Sequence, residues 1–259
     1  YSWHLLVLPF AEYGNISANI EQQIEANTRT GGGGRGGGST VVVPEPYQLD
    51  GINEIELPIY TCPSDGETYD DLVLSQSGEQ FLRSNYAVVA GSAYASGDQE
   101  QYVGSAGTLS GPTNQDGVMF YDSDIELKRI SDGLSNTYLA GERWYQLRAW
   151  PIGIRRASAT GGTFYMYSAK NVDGSIPPNG EFSAGYYLSH VIYNNDPPMP
   201  EGGQQILSLN DLYWGSYHPG GLNFARVDGS VDFVSEDIDP TAYEDMASRN
   251  GDYRFGASR

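Results

Sequence analysis

A hairpin signal near the end of the chain constrains the fold more than any other feature of the sequence. Asp228-Gly229 separates two short runs in which apolar residues alternate with other residues. Because a two-residue turn needs residues that tolerate a positive φ angle, this dipeptide predicts a tight antiparallel hairpin. In the register of such a turn, Phe224 lies opposite Phe233 on the same face. The sequence therefore predicts an antiparallel sheet in this part of the chain.

Amphipathic patterns at the start of the sequence predict two short helices. In residues 2–13, the apolar residues that recur at helical spacing are Trp3, Leu6, Val7 and Phe10. In the pattern that follows, an isoleucine recurs every fourth residue, at Ile16, Ile20 and Ile24. Both spacings place apolar side chains along one helix face, so each helix is expected to pack on a core.

A third helix is predicted directly after the hairpin. Asp239 is a favourable N-cap residue, and Pro240 suits the first helical position. Gly251 is a typical helix stop, which predicts that the helix runs to about Asn250. Its buried stripe is predicted to consist of Tyr243, Met246 and Ala247.

The middle of the chain predicts strands separated by loops. Residues 84–91 are typical of a buried strand, and residues 117–121 predict another. Residues 31–39 predict a flexible glycine-rich loop, and residues 92–117 predict a long surface excursion. We therefore expect a single domain over residues 1–259. Its class is α+β, with an antiparallel strand-rich body and short helices near both ends.

The charge of the chain argues against two classes of partner. The sequence has 33 acidic and 14 basic residues, a formal net charge of −19, and its basic residues are scattered. A surface that binds nucleic acid or an anionic membrane normally presents a basic patch, so neither partner is expected. The sequence also lacks a run of about 18 apolar residues, so none of it is expected to span a membrane.

Carboxylates in turn-rich stretches predict a candidate calcium site. Calcium ions prefer oxygen ligands, and acidic loops supply them. The strict spacing of an EF-hand is absent, and solvated loop charges explain the same pattern, so both interpretations stay open. The residues concerned are Asp65, Asp70, Asp71, Asp122 and Asp124.

The sequence contains no evident catalytic motif. Its three histidines belong neither to a nucleophile-elbow motif nor to a paired zinc motif, so no zinc site is expected. His218 precedes the turn sequence 219–221, which favours a turn-forming or hydrogen-bonding role. Cys62 is the single cysteine, so it is expected to be a buried small apolar residue or to pair with another segment or subunit. We therefore predict a protein that is not an enzyme.

Five motifs, taken in order, resemble a bacterial family. Nine residues separate His218 from Asp228-Gly229, which is similar to the C-terminal H-x9-DG signature of prepilin-type proteins of planctomycete bacteria. The other motifs are a Trp3-containing segment before Pro9, the block Cys62-Pro63-Ser64-Asp65, the pair Asn85-Tyr86, and Asp132-Gly133 with Ser135-Asn136-Thr137 and Gly141-Glu142. The resemblance extends over nearly the whole chain.

The resemblance implies a pilin-like fold and an export route, in a family without a known biochemical activity. Proteins of that family begin with a prepilin leader and a long hydrophobic helix. This sequence starts at Tyr1 without them, so membrane contact is expected only through that absent segment. A cysteine there is a hypothetical partner for Cys62. The motif residues expected to hold turns and hairpins rather than to react are His218, Asp228, Gly229, Asp132, Gly133, Ser135, Asn136 and Glu142.

Three functions stay open on this sequence. The leading prediction is a structural subunit of an extracellular or cell-surface, pilus-like filament that assembles with copies of itself. The alternatives are a pseudopilin-like, periplasmic component of a type II-like secretion system and a secreted carbohydrate-binding module. Filament formation predicts ordered self-assembly, the secretion component predicts monomers or small hetero-complexes, and the binding module predicts retention on polysaccharide.

Overall fold

The computed structural model places three α-helices and thirteen β-strands in the residues that it describes. Those residues are 2–31, 40–44, 49–52, 55–64, 72–74, 80–82, 84–92, 101–103, 112–120, 123–143, 154–157, 163–166, 169–172, 174, 178–179 and 214–251. The α-helices are α1 (Trp3–Val7), α2 (Gly14–Asn27) and α3 (Pro240–Asp245). Short 3₁₀ helices cover Leu8–Ala11, Pro58–Tyr60, Leu127–Arg129 and Leu134–Asn136.

The strands are β1 (Arg29–Gly31), β2 (Thr40–Val42), β3 (Leu72–Leu74), β4 (Gln80–Leu82), β5 (Tyr86–Ser92), β6 (Gln101–Val103), β7 (Pro112–Asn114), β8 (Tyr138–Glu142), β9 (Ile154–Ala157), β10 (Thr163–Met166), β11 (Ala169–Val172), β12 (Gly221–Arg226) and β13 (Val231–Ser235). Within the described residues, β1–β2, β3–β4, β6–β7 and β9–β10 form separate antiparallel pairs.

A five-stranded sheet forms the centre of the fold, in the order β11-β5-β8-β12-β13. The pairs β5–β8, β8–β12 and β12–β13 are antiparallel, whereas β11 joins β5 in parallel. This sheet and the short helices confirm the α+β class, with β11 as the exception to its antiparallel pairing. None of the helices in the described ranges is long and apolar enough to cross a membrane.

An aromatic cluster forms the core between the central sheet and α3. Tyr138 of β8 stacks on Phe224 of β12 with ring centroids 4.2 Å apart, and Trp214 lies 5.0 Å from Phe224. Tyr243 of α3 meets Phe224 edge-on at 6.0 Å. Gly141 is required beside these rings, because a Cβ atom there would come within 2.5 Å of the Phe224 ring. The cluster therefore ties β8, β12 and α3 together.

Helix α3 begins as predicted and ends earlier than predicted. The side chain of Asp239 accepts a hydrogen bond from the backbone N–H of Ala242 at 2.9 Å, which caps the helix. The helix ends at Asp245, because the carbonyl of Met246 accepts from the backbone N–H of Tyr138 at 2.7 Å instead of from a next helical turn. The predicted stripe is present, with Tyr243 and Ala247 buried and Met246 partly buried.

The N-terminal helices pack on a second apolar cluster. Ile20 of α2 is buried in it, and Ile16 and Ile24 are partly buried against it, which confirms the stripe predicted for α2. The other buried members are Leu8, Leu49, Ile52, Leu57 and Tyr60.

The stripe predicted for residues 2–13 is wrong at two of its four positions. Trp3 and Val7 are partly buried, but Leu6 and Phe10 are exposed, and His4, outside the stripe, is fully buried. His4 fits there because its Nδ1 lies 3.0 Å from Oγ of Ser2 and its Nε2 lies 2.8 Å from Oγ of Ser84. A polar side chain whose nitrogens both have partners can occupy a core position, and an apolar pattern does not reveal it.

Strands β12 and β13 form the predicted hairpin, but the predicted register is wrong by one residue. Phe224 lies opposite Asp232, and Phe233 lies opposite Asn223. A shift of one residue moves a side chain to the other face of a strand. Phe233 is consequently exposed, whereas Phe224 is buried.

The loop of this hairpin explains the shift. The backbone N–H of Arg226 donates to the carbonyl of Ser230 at 2.8 Å, so the loop has three residues instead of two. Gly229, the last of them, has a φ angle of +87°. A three-residue loop that ends on a residue with positive φ is the other common way to close a hairpin, and glycine suits both loops. The dipeptide therefore predicted the hairpin without fixing its register.

Two further predictions concern the residues around β5. Strand β5 confirms the buried strand predicted at 84–91. Residues 117–120 do not form the predicted strand, and Tyr121 lies outside the described residues. Gly117 and Met119 each donate one backbone hydrogen bond to a β5 carbonyl, at 2.8 and 3.3 Å, but the chain bends at 115–118 and no ladder forms.

The two predicted loops are only partly described. Gly31 belongs to β1, and residues 32–39 lie outside the described ranges. The excursion predicted at 92–117 contains the β6–β7 pair. At its end Asp116 is buried and accepts a hydrogen bond from Oγ of Ser92 at 2.6 Å, so this end belongs to the body rather than to the surface.

Candidate functional site

Three side chains from distant parts of the sequence meet where β8 ends. Nε2 of His218 lies 3.2 Å from Oε1 of Glu142 and 3.6 Å from Sγ of Cys62, and Sγ lies 3.8 Å from Oε1. Cys62 and Glu142 are buried, with exposed fractions of 4% and 5%, whereas 28% of the His218 side chain is exposed. We call these residues the Cys–Glu–His cluster. Solvent reaches it on the side of the imidazole.

The position of Cys62 is fixed by an asparagine that links three segments. Oδ1 of Asn85 accepts from the backbone N–H of Cys62 at 2.9 Å, and Nδ2 of Asn85 donates to the carbonyl of Arg143 at 3.2 Å. The backbone N–H of Asn85 donates to the carbonyl of Tyr60 at 2.8 Å. Asn85 is itself buried, so these bonds hold Cys62 beside the end of β8.

The carboxylate of Glu142 is oriented by β12. Its Oε2 accepts from the backbone N–H of Asn223 at 2.6 Å and from Nδ2 of the same residue at 3.1 Å. Glu142 is the last residue of β8, and β12 is the neighbouring strand. With Oε2 occupied in this way, Oε1 points toward Cys62 and His218.

His218 lies on a loop that side chains hold in place. The backbone N–H of His218 donates to Oγ of Ser216 at 3.0 Å, and Ser216 in turn donates from Oγ to the carbonyl of Gly221 at 2.8 Å. Asn179, which has a φ angle of +56°, accepts from the N–H of Ser216 at 2.7 Å and donates to the carbonyl of Gly221 at 3.1 Å. The imidazole is thus presented by a braced loop.

The electrostatics of the site affect a neighbouring tyrosine. Tyr86 of β5 lies opposite Glu142 in the sheet. Burial, followed by the electrostatic effects of the neighbouring Cys62 and Glu142 side chains, raises the pKa of Tyr86 to about 12. Tyr86 therefore stays protonated and neutral at physiological pH.

The geometry differs from that of a nucleophile–base–acid relay. In such a triad, one ring nitrogen of the histidine faces the nucleophile and the other faces the carboxylate. Here Nε2 alone faces both Sγ of Cys62 and Oε1 of Glu142. The three atoms form a triangle rather than a chain, so the arrangement suits one shared ligand better than a proton relay.

One comparison with known proteins gives a match. A family model described as a protein of unknown function (DUF1559) matches residues 1–241. The chain belongs to the DUF1559 family. No curated protein and no solved structure matches it. The match contains all three members of the Cys–Glu–His cluster.

Sequence reasoning on this DUF1559 protein named every member of the cluster without placing them together. Cys62 is predicted to be a buried small apolar residue or to pair with another segment or subunit. Glu142 and His218 are predicted to hold turns or hairpins. The three residues belong to three separate motifs. The fold brings them together because β8 lies between β5 and β12 in the sheet. The roles expected from the motifs stay predictions.

The residues of the two Asp-Gly motifs lie away from this cluster, at the opposite end of β12. In the hairpin loop, Oδ1 of Asp228 accepts from the backbone N–H and Oγ of Ser230 at 2.9 and 2.6 Å, next to Gly229. The backbone N–H of Asp228 donates to the carbonyl of Leu134 at 3.2 Å. The loop therefore packs against the segment that contains the second Asp-Gly motif.

Hydrogen bonds that involve side chains hold the second Asp-Gly motif in place. Asp132 accepts from the backbone N–H of Gly251 at 2.6 Å through Oδ2, and its carbonyl accepts from Nδ2 of Asn136 at 2.9 Å. Gly133 has a φ angle of +95°, which disfavours any residue with a Cβ atom. Ser135 is exposed, and its carbonyl accepts from Nη1 of Arg226 at 2.7 Å.

The candidate calcium residues are largely undescribed. Asp124 is exposed. The other four, Asp65, Asp70, Asp71 and Asp122, lie outside the described residues. The calcium site therefore stays a prediction.

Sequence reasoning missed the asparagines that support the cluster. Asn85 belongs to a motif that does not reveal its partners, and no motif specifies Asn223. Asn179 lies between Pro178 and Gly180, a turn composition that signals a loop but not the loop's partner.

Proposed function

We propose that this DUF1559 protein is a non-enzymatic structural subunit that assembles with copies of itself into an extracellular or cell-surface, pilus-like filament. The order of its motifs, which resembles that of planctomycete prepilin-type proteins with the H-x9-DG signature, supports an exported, pilin-like subunit. The observation that carries the proposal is the outer edge of the central sheet.

Strand β13 is suited to pairing with a second copy. In the described ranges it pairs only with β12, so its other edge presents backbone donors and acceptors without a strand. On its outer face, Val231 and Phe233 have exposed fractions of 63% and 53%. An apolar edge strand is a template for another strand, and soluble proteins usually block such edges with charged side chains, above all lysine, with proline or with a bulge. The sequence of β13, VDFVS, contains neither lysine nor proline, and its one charged residue, Asp232, is paired with Arg226 of β12.

The N-terminal helices supply a second apolar surface. Leu6 and Phe10 are both exposed. Two different apolar surfaces on one chain allow a head-to-tail contact, in which one surface of a copy meets the other surface of the next. Head-to-tail contacts that do not close into a ring produce filaments.

The charge of the chain sets the conditions for assembly. A net charge of −19 makes copies repel each other, and salt screens that repulsion. We therefore expect assembly to increase with ionic strength. A stronger effect of calcium than of magnesium at equal concentration would support the calcium loops as well.

The experiment is sedimentation velocity and negative-stain electron microscopy at low and high salt, on the wild type and two variants. Phe233→Glu places a charge on the β13 edge, and Leu127→Glu, at a site with an exposed fraction of 59% outside the sheet, is the matched control. We expect the wild type and Leu127→Glu to form fibres and Phe233→Glu to stay monomeric with an unchanged circular dichroism spectrum. Monomers of the wild type under every condition, or fibres of Phe233→Glu, would refute the proposal.

A further inference from the structure

We infer that the Cys–Glu–His cluster is a three-ligand site for a divalent transition-metal ion, with Zn²⁺ as the best fit. This inference is independent of the filament proposal. It also departs from the sequence analysis, which expected no zinc site because no paired ligand motif is present. Within the described residues, Cys62, Glu142 and His218 are the group whose ligand atoms converge closely enough to hold one ion.

The distances within the cluster match those of a tetrahedral site. Bonds of about 2.0–2.3 Å at tetrahedral angles place the ligand atoms about 3.4–3.6 Å from one another. The three distances here are 3.2 Å from nitrogen to oxygen, 3.6 Å from sulfur to nitrogen and 3.8 Å from sulfur to oxygen. The side chains therefore need to move by only a few tenths of an ångström to bind an ion.

Hydrogen bonds from neighbouring residues orient each of the three ligands. Asn223 binds Oε2 of Glu142 and leaves Oε1 directed at the cluster. Asn85 holds the backbone of Cys62, and Ser216 holds the backbone of His218. Such outer contacts are typical of metal sites, where they orient the ligands and tune their affinity.

The ligand types select the metal. A thiolate and an imidazole favour zinc and similar ions, whereas calcium and magnesium prefer oxygen ligands alone. Three ligands leave a fourth tetrahedral position, and the exposed side of His218 gives water or a further ligand access to it. The site is therefore distinct from the calcium loops predicted in the sequence.

Metal binding has a defined proton balance. Without metal, the thiol of Cys62 is in position to donate a hydrogen bond to Oε1 of Glu142 at 3.8 Å. An ion binds the thiolate, so the thiol proton is released. In the metal complex the imidazole binds through Nε2 with its proton on Nδ1, and the glutamate binds as a carboxylate. One proton is therefore released for each ion bound to the neutral thiol.

The test is titration of the chelator-treated, reduced protein with Co²⁺, a spectroscopic substitute for Zn²⁺. We expect one equivalent to bind and to produce a sulfur-to-cobalt charge-transfer band in the near ultraviolet, and Zn²⁺ to displace it. Cys62→Ser should abolish the band. His218→Gln, at a partly exposed position, should weaken binding at least about ten-fold. Glu25→Gln is the control, because Glu25 is an exposed carboxylate on α2, outside the cluster and outside the predicted calcium loops, and this variant should bind Co²⁺ as the wild type does.

Four results would overturn the inference. The first two are the absence of a charge-transfer band in the folded wild type and an equal affinity of the wild type and His218→Gln for Co²⁺. The other two are displacement of Co²⁺ by equimolar Ca²⁺ and a disulfide at Cys62 in the native protein. If Cys62→Ser does not fold, two other measurements test the metal site. They are the Co²⁺ affinity of His218→Gln and the melting temperature of the wild type with and without Zn²⁺. The folded protein should melt at a higher temperature with Zn²⁺, since an ion that binds only the native state stabilises it.

Discussion

The buried histidine of helix α1 makes the protein sensitive to mild acid. His4 is fully buried, stacks on Trp3 with centroids 4.0 Å apart, and meets the ring of Tyr60 edge-on at 4.5 Å. Burial, followed by the charge of Arg143, lowers the pKa of His4 from 6.5 to about 3. In the native protein the imidazole is therefore neutral at every pH above about 3, whereas in the unfolded chain it is protonated below 6.5.

The sign and size of the effect follow from linkage. Since the native pKa is below the unfolded one, the unfolded chain binds the proton first as the pH falls. The contribution of His4 to stability is complete above pH 6.5 and is lost progressively as the pH falls toward 3. Each pH unit below 6.5 lowers the free energy of unfolding by about 1.4 kcal/mol. Between pH 7 and pH 5, His4 therefore lowers it by about 2 kcal/mol.

The assay is urea unfolding at pH 7 and pH 5, on the wild type and on His4→Gln. Glutamine keeps polar atoms for Ser2 and Ser84 and does not titrate. Carboxylates also respond to pH, but they do so in both proteins, and the difference between the two pH dependences isolates His4. We expect the free energy of unfolding of the wild type to fall by about 2 kcal/mol more than that of the variant.

The reasoning fails if the two proteins lose the same stability between pH 7 and pH 5. It also fails if the wild type loses less than the variant, since a native pKa above 6.5 gives that sign. Titration of the His4 imidazole by NMR in the native protein provides an independent check, and its signals should not move between pH 7 and pH 5.

The hairpin at β12 and β13 supports two further predictions. Phe224→Ala should lower the free energy of unfolding by about 3–5 kcal/mol, whereas Phe233→Ala, on the exposed face, should change it by less than about 0.5 kcal/mol. Urea unfolding at concentrations where the protein is monomeric measures both values. Equal losses of stability in the two variants would contradict the observed register. Gly229→Ala should lower the free energy of unfolding by about 1 kcal/mol, because Gly229 has a positive φ angle. Gly14→Ala, at the start of α2 where a Cβ atom has open space, should not destabilise the protein. A neutral Gly229→Ala would contradict the three-residue loop.

Local patterns in the sequence predicted the elements whose determinants are local. The isoleucine stripe of α2, the apolar run of β5 and the capping residue Asp239 all involve neighbours within one turn or one strand. The register of the last hairpin was missed, because Asp-Gly fits both a two-residue and a three-residue loop. The buried face of α1 was missed because its burial depends on a hydrogen bond between His4 and Ser84, a residue 80 positions away.

The candidate site was missed for a related reason. Cys62 lies 80 residues before Glu142, and His218 lies 76 residues after it. Each residue belongs to a short motif that by itself indicates a turn or a strand end. Only the order of strands in the central sheet brings them together, and no local spacing encodes that order. A paired ligand motif, which does encode proximity, is absent here.

The nine residues between His218 and Asp228 set the distance between the candidate site and the hairpin loop. Strand β12 spans most of this interval, and its six residues extend over about 20 Å. The length of β12 therefore fixes the separation between the His218 imidazole and the hairpin loop, which do not touch each other. Substitutions at outward-facing positions of the interval leave that length unchanged. A single inserted or deleted residue reverses the faces of everything beyond it, so this segment tolerates changes of identity far better than changes of length.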